Sequence, residues 1–377
     1  MSKEHQKGPT RLAVVGGGVI GLTAAWRAAQ AGYAVVLIDP NPGRGASWVA
    51  GGMLAPVTEA WPGEEDVLRL GEASLRQWPD FARELGAAGG EVGLYTGGTV
   101  VVGHDSADRE QLATLASYLG ELGREVEELT GRQLRKLEPG IGASIRSGLH
   151  VPGDLAVDAR GLVHSLTKAA LNVGVRFREQ AASEVHPGRV RLDDGSDVDC
   201  DVVLLSAGAW SGLLHSALAH VVRPLKGEIL RLRSRRGTLP PPSRTVRASV
   251  EGRPIYLVPK ENDELVLGAT QYEAGFDVEV TAGGVRDLLA DAERVLPSIG
   301  EYALLECTAG SRAGSADNLP TIGWLEQDVL AATGHHRNGL LLAPITADAV
   351  LAHLAGAELP EYLAAAGPER WTRREVL

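Results

Sequence analysis

The residues with the clearest chemical meaning are three glycines and one acid near the start of the chain. Gly16, Gly18 and Gly21 form a G-x-G-x-x-G pattern directly after an apolar run at residues 12–15, and Asp39 ends a second apolar run. In such a pattern the first glycine permits a tight turn, the second lets a pyrophosphate approach the backbone, and the third lets a helix pack on the strand. The pyrophosphate then lies at a helix N-terminus, and the acid accepts from a ribose hydroxyl. We therefore predict a dinucleotide site; this stretch alone does not distinguish FAD from NAD.

Two further stretches are suited to line the same site. Residues 40–48 form a loop rich in proline and glycine, and residues 49–56 are small enough for backbone N–H groups to approach a flat or anionic ligand. Arg44, in this loop, is either a partner of the pyrophosphate or an ordinary surface arginine, and the sequence leaves both open. Residues 206–212, SAGAWSG, form a second turn from strand to helix with small residues.

The elements that position these stretches follow from the spacing of apolar residues. Helical periodicity predicts helices over residues 64–86, 107–122, 159–171, 281–295 and 340–354. Apolar runs predict strands over residues 12–15, 34–38, 94–102, 201–206, 224–233, 302–308 and 329–332, and a hairpin over residues 255–268. Pro79 is expected to kink or divide the helix over residues 64–86. Rossmann-like pieces at both ends and in the middle alternate with β-richer pieces, which predicts two discontinuous domains.

Composition bounds the class of protein. The chain has 377 residues, 44% of them hydrophobic and 23% charged, as expected of a globular protein with room for two domains. Its 37 basic and 48 acidic residues give a net charge of −11, which argues against nucleic acid or an anionic membrane as the main partner. Cys200 and Cys307 have neither disulfide nor metal spacing, so we predict no metal site. We find no run of 18 apolar residues and no signal-peptide pattern, which predicts a cytoplasmic protein.

Five stretches together are similar to the FAD-dependent D-amino-acid oxidase superfamily and, within it, to the glycine oxidases of thiamine biosynthesis. They are VVGGGVIGLTAAW at 14–26, GASWVAGGMLAP at 45–56, SAGAWSG at 206–212, the hairpin RPIYLVP…ELVLGAT at 253–270, and the pair AGSRAGSADNLPTIG at 309–323 and GHHRNGLLLAP at 334–344. The resemblance covers residues 11–355 and implies an α/β fold, α+β overall. It implies a Rossmann-type FAD-binding domain at residues 1–88, 150–222 and 308–377, and a discontinuous β-rich substrate-binding domain at residues 89–149 and 223–307, as in D-amino-acid oxidase.

The glycine motif and the resemblance together indicate which residues bind FAD. In chain order they are Gly16, Gly18, Val19, Ile20, Gly21, Asp39, Pro40, Arg44, Ala46, Ser47, Gly51, Gly52, Met53, Ala182, His335, His336, Arg337, Asn338, Gly339, Leu340 and Leu341. The resemblance places the segment 335–341 at the flavin end, where the dipole of the following helix would stabilise negative charge on reduced flavin. It also implies non-covalent FAD, because Cys307 lies three residues short of Gly310, the position at which related sarcosine oxidases attach flavin through a cysteine.

The resemblance also implies which residues hold the substrate. Arg312 matches the arginine that binds the substrate carboxylate, and a planar guanidinium meets a carboxylate bidentately. Tyr256 matches a tyrosine whose hydroxyl helps to hold the substrate, and Arg337 matches a second position near it. The alternatives are a structural ion pair for Arg312 and a core aromatic for Tyr256, and the role of Arg337 stays open.

Three residues depart from the family pattern. Ala313 replaces a usual proline, Gln271 stands where the best-known relatives have methionine, and Pro254 stands where a histidine can occur. These changes bear on the substrate preference rather than on the reaction.

The predicted reaction is the FAD-dependent oxidation of glycine, and also of sarcosine and small D-amino acids, to glyoxylate, ammonia and hydrogen peroxide with O₂ as the acceptor. No side-chain base is required if the bound amine is already neutral. The alternatives are a D-amino-acid or sarcosine dehydrogenase that uses an electron carrier, a flavin-binding subunit without turnover, and an NAD dehydrogenase, for which we find no nicotinamide site. The resemblance further implies a homo-oligomer, a tetramer, and a role in supplying the glycine imine for thiazole synthesis in thiamine biosynthesis.

Overall fold

The computed structural model describes residues 9–372, so both ends of the predicted FAD-binding domain, residues 1–8 and 373–377, lie outside the described residues. The α-helices are α1 (Val19–Gln30), α2 (Ala46–Val49), α3 (Glu65–Gly89), α4 (Ser106–Glu121), α5 (Gly131–Leu137), α6 (Ala159–Asn172), α7 (Ser211–Leu214), α8 (Ala282–Val295), α9 (Gly339–Ala355) and α10 (Glu369–Thr372). The strands are β1 (Arg11–Val15), β2 (Ala34–Ile38), β3 (Met53–Leu54), β4 (Leu94–Tyr95), β5 (Thr99–Gly103), β6 (Glu127–Thr130), β7 (Ser147–Val151), β8 (Leu155–Val157), β9 (Arg176–Arg178), β10 (Ala182–His186), β11 (Arg189–Leu192), β12 (Asp197–Asp199), β13 (Val202–Leu205), β14 (Arg223–Arg233), β15 (Thr245–Val250), β16 (Arg253–Pro259), β17 (Glu264–Gly268), β18 (Ala303–Gly314), β19 (Thr321–Glu326) and β20 (Val329–Thr333). Short 3₁₀ helices lie at Gly208–Trp210, Ser216–Leu218, Pro297–Glu301, His336–Asn338 and Glu361–Ala366.

The glycine motif follows the central strand of a six-stranded sheet with the order β19-β20-β13-β1-β2-β9. All neighbours in this sheet are parallel except β19 and β20, which pair antiparallel at one edge. Strands β1, β13 and β20 are apolar and almost fully buried, as parallel strands covered on both faces are. Because parallel strands end at the same edge of a sheet, the turns after these three strands lie side by side. This sheet confirms the predicted Rossmann-type fold.

Four helices share one hydrophobic core with this sheet. Buried side chains of α1, α3, α6 and α9 pack together with those of β1, β2 and β20. The segment His336–Ala355, which contains α9, is long and apolar enough to span a membrane, but 61% of its apolar window is buried inside the protein. A core helix passes the same test, and α9 packs against α1 and α3. Its apolar character is therefore explained by burial.

The expectation that Pro79 divides a helix is wrong. Helix α3 runs from Glu65 to Gly89 with Pro79 inside it. Side chains just before the proline fix this stretch against α9, because Ser74 and Trp78 both donate to the carbonyl oxygen of Leu341, at 2.5 and 2.9 Å. These tertiary contacts, with the burial of Trp78, offset the backbone hydrogen bond that a proline removes.

A second, eight-stranded sheet has the order β18-β14-β17-β16-β15-β5-β7-β6. It is antiparallel except between β5 and β15, and α8 packs on the core at one of its faces. The predicted hairpin is β16 and β17. The single strand expected over residues 94–102 is two strands, because the chain turns at Gly98, whose φ of +80° favours glycine. Strands β7 and β18 belong to this sheet and cross predicted domain boundaries, and the division into domains stays a prediction.

Candidate functional site

Two glycines of the motif lie where the backbone approaches other atoms too closely for any side chain. Gly16 has φ of +106°, and a Cβ there would overlap the backbone of Ser206, at the end of β13. A Cβ on Gly21 would overlap the carbonyl oxygen of Gly16, so α1 packs directly against the turn. A Cβ on Gly18 would meet nothing closer than the Ser47 hydroxyl, at 3.4 Å. The first and third glycines thus have the steric tasks that the motif predicts, and the second leaves the turn open to a ligand.

Asp39 and Ser47 tie the loops around this turn together. The Asp39 carboxylate accepts from the backbone N–H of Gly17 and of Asn41, both at 2.7 Å. The Ser47 hydroxyl accepts from the N–H of Val19 at 3.0 Å, which caps the first turn of α1. Arg44 is exposed, with its guanidinium 3.9 Å from the centre of the Trp48 ring. Arg44 therefore stacks on an aromatic ring at the entrance of the site.

These elements enclose a cavity of about 620 Å³, which we call the first cavity. It runs from the glycine turn past the ends of β2, β10 and β13 to the start of α9. The predicted FAD-binding residues that line it are Gly16, Gly18, Val19, Ile20, Asp39, Pro40, Arg44, Ala46, Ser47, Ala182, His335, His336 and Gly339. The departure Ala313 also lines it. Its course along the ends of three strands and its glycine turn fit an extended dinucleotide.

A second cavity of about 300 Å³ continues the first over the face of the eight-stranded sheet. The two share the lining residues Val19, Ala46, Ser47, Arg312, His336 and Gly339. The remaining predicted residues that line the second cavity are Gly51, Gly52, Met53, Tyr256, Arg337 and Leu340, together with the departures Pro254 and Gln271. Gly21, Asn338 and Leu341 line neither cavity.

One end of the second cavity is formed by Arg312 and Tyr256. The Arg312 guanidinium lies over Gly227 of β14, where a Cβ would overlap it, and donates to the carbonyl of Thr270 at 3.3 Å. No carboxylate forms an ion pair with Arg312 within residues 9–372. The Tyr256 ring lies over two glycines in the same way, Gly51 and Gly268. This end therefore presents an unpaired cation beside a tyrosine hydroxyl.

Burial raises the pKa of the Tyr256 hydroxyl, and the positive charge of Arg312 nearby opposes part of that rise. The hydroxyl therefore stays protonated at neutral pH and can donate a hydrogen bond to a carboxylate held by Arg312. Tyr256 lies on β16 and Arg312 on β18, and the sheet places β17 and β14 between these two strands. The two side chains meet above the intervening strands, where Gly268 of β17 and Gly227 of β14 leave room for them.

The other end of the second cavity is a network of ion pairs. The Nε atom of Arg337 lies 3.1 Å from Oε2 of Glu59, and its terminal nitrogen lies 3.0 Å from Oε2 of Glu64. Arg247 pairs across the strands with Tyr256, lies 3.5 Å from the Glu59 carboxylate, and donates to the carbonyl of Thr58. Arg337 thus lines the second cavity with its charge compensated.

Glu59, Glu64 and Arg247 are missing from the predicted site. A signal existed for Arg247, which is the lone charge in the apolar strand β15. Nothing in the sequence distinguishes Glu59 and Glu64, because they lie in a polar stretch that is typical of an exposed loop. The ion pairs also separate the second cavity from a third one of about 380 Å³, with which it shares Glu59, Arg247, Pro254 and Arg337.

The adjacent histidines His335 and His336 differ in their surroundings. His335 is buried, and its Nε2 lies 3.0 Å from the Thr346 hydroxyl. Burial lowers the pKa of His335 to about 3 and that of His336 to about 4. Both rings are therefore neutral at physiological pH.

Both cysteines are free thiols in apolar surroundings. Cys200 is buried in the core beside the six-stranded sheet, and Cys307 packs against the core of the eight-stranded sheet. Within residues 9–372, no group of three or more His, Cys, Asp or Glu side chains is placed to hold a metal ion.

Comparisons with known proteins show the family to which the chain belongs. Residues 11–353 match the DAO family model of FAD-dependent oxidoreductases. The chain is 30% identical to the glycine oxidase of Geobacillus kaustophilus, over 89% of this chain and 90% of that protein, and 31% identical to the glycine oxidase of Pseudomonas putida, over 92% and 95%. It is 31% identical to a bifunctional protein ThiO/ThiG of Synechocystis, of which it spans 53%. The crystal structure of the G. kaustophilus enzyme matches with a TM-score of 0.87 at 28% identity, covering 95% of this chain and 98% of that one.

Proposed function

Because this chain belongs to the family of FAD-dependent oxidoreductases and is an FAD-dependent amine oxidase, we propose that it oxidises glycine in its second cavity. The proposed overall reaction converts glycine, O₂ and water into glyoxylate, ammonia and hydrogen peroxide. We include sarcosine and small D-amino acids as further substrates. A relative from Rhizobium etli, named a putative thiamine biosynthesis oxidoreductase, supports a role in thiamine biosynthesis, where the glycine imine would supply thiazole synthesis.

The unpaired charge of Arg312 carries this proposal. Of the three arginines that line the second cavity, Arg247 and Arg337 are paired with acids, whereas the polar partners of Arg312 among residues 9–372 are a carbonyl and the Tyr256 hydroxyl. A partly buried guanidinium without a counter-ion favours an anionic ligand with two oxygens in one plane, which is a carboxylate. A single such cation suits a monocarboxylic amino acid.

The residues of the first cavity support FAD as the cofactor. The turn at Gly16 and Gly18 would hold the pyrophosphate at the N-terminus of α1, and Asp39 would accept from the adenosine ribose. The start of α9 lies where the two cavities meet, so its positive dipole end would face the flavin. When bound, FAD supplies the hydride acceptor and the reaction with O₂. We propose that it is held without a covalent bond.

The chain's own part in the reaction is to bind and orient the substrate. Arg312 fixes the carboxylate, and the Tyr256 hydroxyl adds a third hydrogen bond, which limits the rotation of a small amino acid. Gly51, Gly268 and Gly227 leave the space in which these two side chains meet. Because Arg312 lines both cavities, a carboxylate fixed there would hold the amine and Cα of glycine near the junction of the two cavities. No side-chain base is invoked, because the substrate reacts as the neutral amine.

The first experiment is anaerobic mixing of the purified protein with glycine while the flavin absorption band is followed, and then admission of air with an assay for peroxide. We expect bleaching by glycine and recovery in air with one peroxide per flavin turnover. Bleaching that persists in air would assign a dehydrogenase instead. A flavin that is unmoved by glycine and bleached by sarcosine or D-alanine would correct the substrate.

A cytoplasmic location is a further part of the proposal, and so is assembly into a homo-oligomer, a tetramer, which comes from the family resemblance alone. Gel filtration with light scattering tests the second, and a monomer at micromolar concentration would refute it. The two-domain division at residues 1–88, 150–222 and 308–377 against 89–149 and 223–307 is likewise proposed.

A further inference from the structure

Glu228 is a fully buried acid that the proposed reaction does not use. It lies on β14, and its side chain has no exposed surface. One carboxylate oxygen accepts from the backbone N–H of Thr281 at 2.8 Å, and the other accepts from the hydroxyl of Thr270 at 3.1 Å. The Nζ atom of Lys226, on the same strand, lies 3.9 Å from the carboxylate. Because burying a carboxylate is costly, an acid buried with these partners holds them in one arrangement.

These contacts hold one loop at several points. The loop over residues 269–281 connects β17 to α8, and its first residues line the second cavity. The buried carboxylate contacts Thr270 and Thr281, one near each end of the loop. Lys226 holds the middle, because its Nζ lies 2.5 Å from the Asp277 carboxylate. Two neighbouring charges of β14 therefore clamp this loop against the sheet.

The start of the same loop also holds Arg312. The carbonyl oxygen of Thr270 accepts from the Arg312 guanidinium at 3.3 Å. The backbone N–H of Thr270 donates to the carbonyl of Glu228 at 3.2 Å, and the Thr270 hydroxyl accepts from the N–H of Glu228 at 2.9 Å. With the bond between the Thr270 hydroxyl and the Glu228 carboxylate, three hydrogen bonds fix the residue whose carbonyl orients the guanidinium.

The guanidinium and the two buried charges lie on opposite faces of the sheet. Arg312 lies over Gly227, which stands between Lys226 and Glu228 in β14. Because side chains alternate along a strand, these two charges face away from the second cavity. A Cβ on Gly284 of α8 would overlap the Glu228 carboxylate, so the acid is directed towards that helix. Neither charge lines the second cavity, and any effect on a ligand there must pass through the loop.

We propose that Glu228 is a positioning residue for the oxidation of glycine. Through Thr270 it fixes the Arg312 guanidinium in the orientation that receives the substrate carboxylate, and Lys226 supports it by holding the same loop. The inference rests on the proposed function of Arg312 as the residue that binds the carboxylate. A bidentate contact tolerates little rotation of the guanidinium, so a loosened Thr270 carbonyl weakens substrate binding.

The test compares variants of the hydroxyl and of the acid with a matched control. Thr270→Val removes the hydroxyl and keeps the carbonyl that Arg312 contacts, whereas Thr270→Ser keeps both groups. Glu228→Gln removes the charge at nearly constant shape. Glu138→Gln is the control, because Glu138 is also buried and accepts from the N–H and the hydroxyl of Ser243, but lines neither cavity. For each holoprotein, the Kd of acetate is measured from the flavin spectrum, and reduction by glycine is followed by stopped flow.

We expect Thr270→Val to raise the Kd of acetate and the KM for glycine about tenfold, with little change in the limiting rate of flavin reduction. Glu228→Gln should raise both constants about fivefold, and Thr270→Ser should recover most of the loss. Glu138→Gln should lower the Tm and leave both constants unchanged. The proposal is overturned if Thr270→Val binds acetate within twofold of the wild type, if serine does not recover binding, or if Glu138→Gln weakens binding as much as Glu228→Gln.

Acetate distinguishes a failure of this inference from a failure of the proposed function. It has the carboxylate of glycine and no amine, so its binding reports on Arg312 whether or not glycine is the substrate. If the wild type does not bind acetate, or if Arg312→Gln binds it equally well, the proposed carboxylate site is wrong and the inference falls with it. If Arg312→Gln loses acetate binding and neither Thr270→Val nor Glu228→Gln weakens it, only the positioning role is wrong.

Discussion

The two ends of the second cavity use the same residue type for opposite purposes. At one end Arg312 forms no ion pair with an acid of residues 9–372, and at the other Arg337 and Arg247 share Glu59, with Glu64 paired to Arg337 as well. An unpaired guanidinium is costly until an anion arrives, so it favours ligand binding. The positive charge of a paired guanidinium is already neutralised by its acid, so such a side chain shapes the cavity wall without attracting an anion. The role of an arginine in this cavity is therefore set by the acids around it and not by the arginine itself.

The largest expected effect is at the unpaired end. Arg312→Gln should lower kcat/KM for glycine about 10³-fold, because it removes both charge and the bidentate geometry, while Arg312→Lys should lose about 10²-fold by keeping only the charge. Steady-state peroxide assays give both values. FAD content, read from the absorption spectrum, is the control for folding. A loss below tenfold for Arg312→Gln would mean that the free charge does not hold the carboxylate.

The second prediction concerns a buried acid behind the paired end. The Thr58 hydroxyl donates to Asp154 at 2.8 Å, and burial raises the pKa of Asp154 to about 7 against the opposing effects of Thr58 and Arg247. The folded protein then holds a proton that the unfolded chain releases near pH 4, so this group lowers stability as pH rises from about 4 to 7. Asp154→Asn should be more stable than the wild type by roughly 2–4 kcal/mol at pH 8, with no difference near pH 4.

A matched acid with the opposite sign provides the control for Asp154. Burial alone would raise the pKa of Asp108, but hydrogen bonds from Ser249 and from the backbone N–H of Gly252 lower it to about 2. Such a carboxylate stabilises the fold above about pH 4, and this contribution is lost as pH falls towards 2. Asp108→Asn should therefore be less stable at pH 8. Urea unfolding from pH 4 to 8 separates the two, and equal pH profiles for both variants would contradict the assignment.

The third prediction concerns removal of the negative charge that neutralises Arg247 and Arg337. Glu59→Gln leaves Arg247 without its acid and Arg337 with only Glu64, so we expect a loss of about 1–2 kcal/mol in the free energy of unfolding, reduced by partial exposure of the two guanidinium groups. A new free cation at this end should also misplace the substrate carboxylate and raise the KM for glycine about tenfold. Glu64→Gln is the milder control. An unchanged KM would show that the paired end only separates the second cavity from the third.

The smallest effect is expected at Tyr256. Tyr256→Phe removes one hydrogen bond to the substrate and keeps the ring over Gly51 and Gly268, so KM should rise about fivefold with little change in kcat. Stopped-flow reduction by glycine measures the binding and chemical steps separately. A fall in the limiting reduction rate with unchanged binding would instead give the hydroxyl a role in the chemical step.

How far the sequence predicts a feature depends on the separation, along the chain, of the residues that form it. Gly21 and Asp39 could be assigned tasks because their partners, Gly16 and Gly17, lie within the same strand-turn-helix-strand unit, whereas the close approach of Gly16 to Ser206 depends on β13 lying beside β1. Arg312 and Tyr256 could be proposed only through family resemblance, since the order of strands that brings them together cannot be deduced from the sequence of either strand. Arg247 was missed because its place beside Tyr256 is a matter of sheet register, and the pairing of Glu59 with two arginines depends on three segments that meet only in the folded protein.

The order of strands in the six-stranded sheet has a consequence for how the protein is made. Strands β1 and β2 are complete by residue 38, but β20 ends at Thr333, and α9, which covers the core beside α1 and α3, ends at Ala355. A chain emerging from the ribosome therefore exposes the apolar faces of its first strand and helix until β20 and α9 have been synthesised. Cofactor loading therefore requires β20 and α9, and nascent chains truncated before β20 should bind chaperones and no FAD.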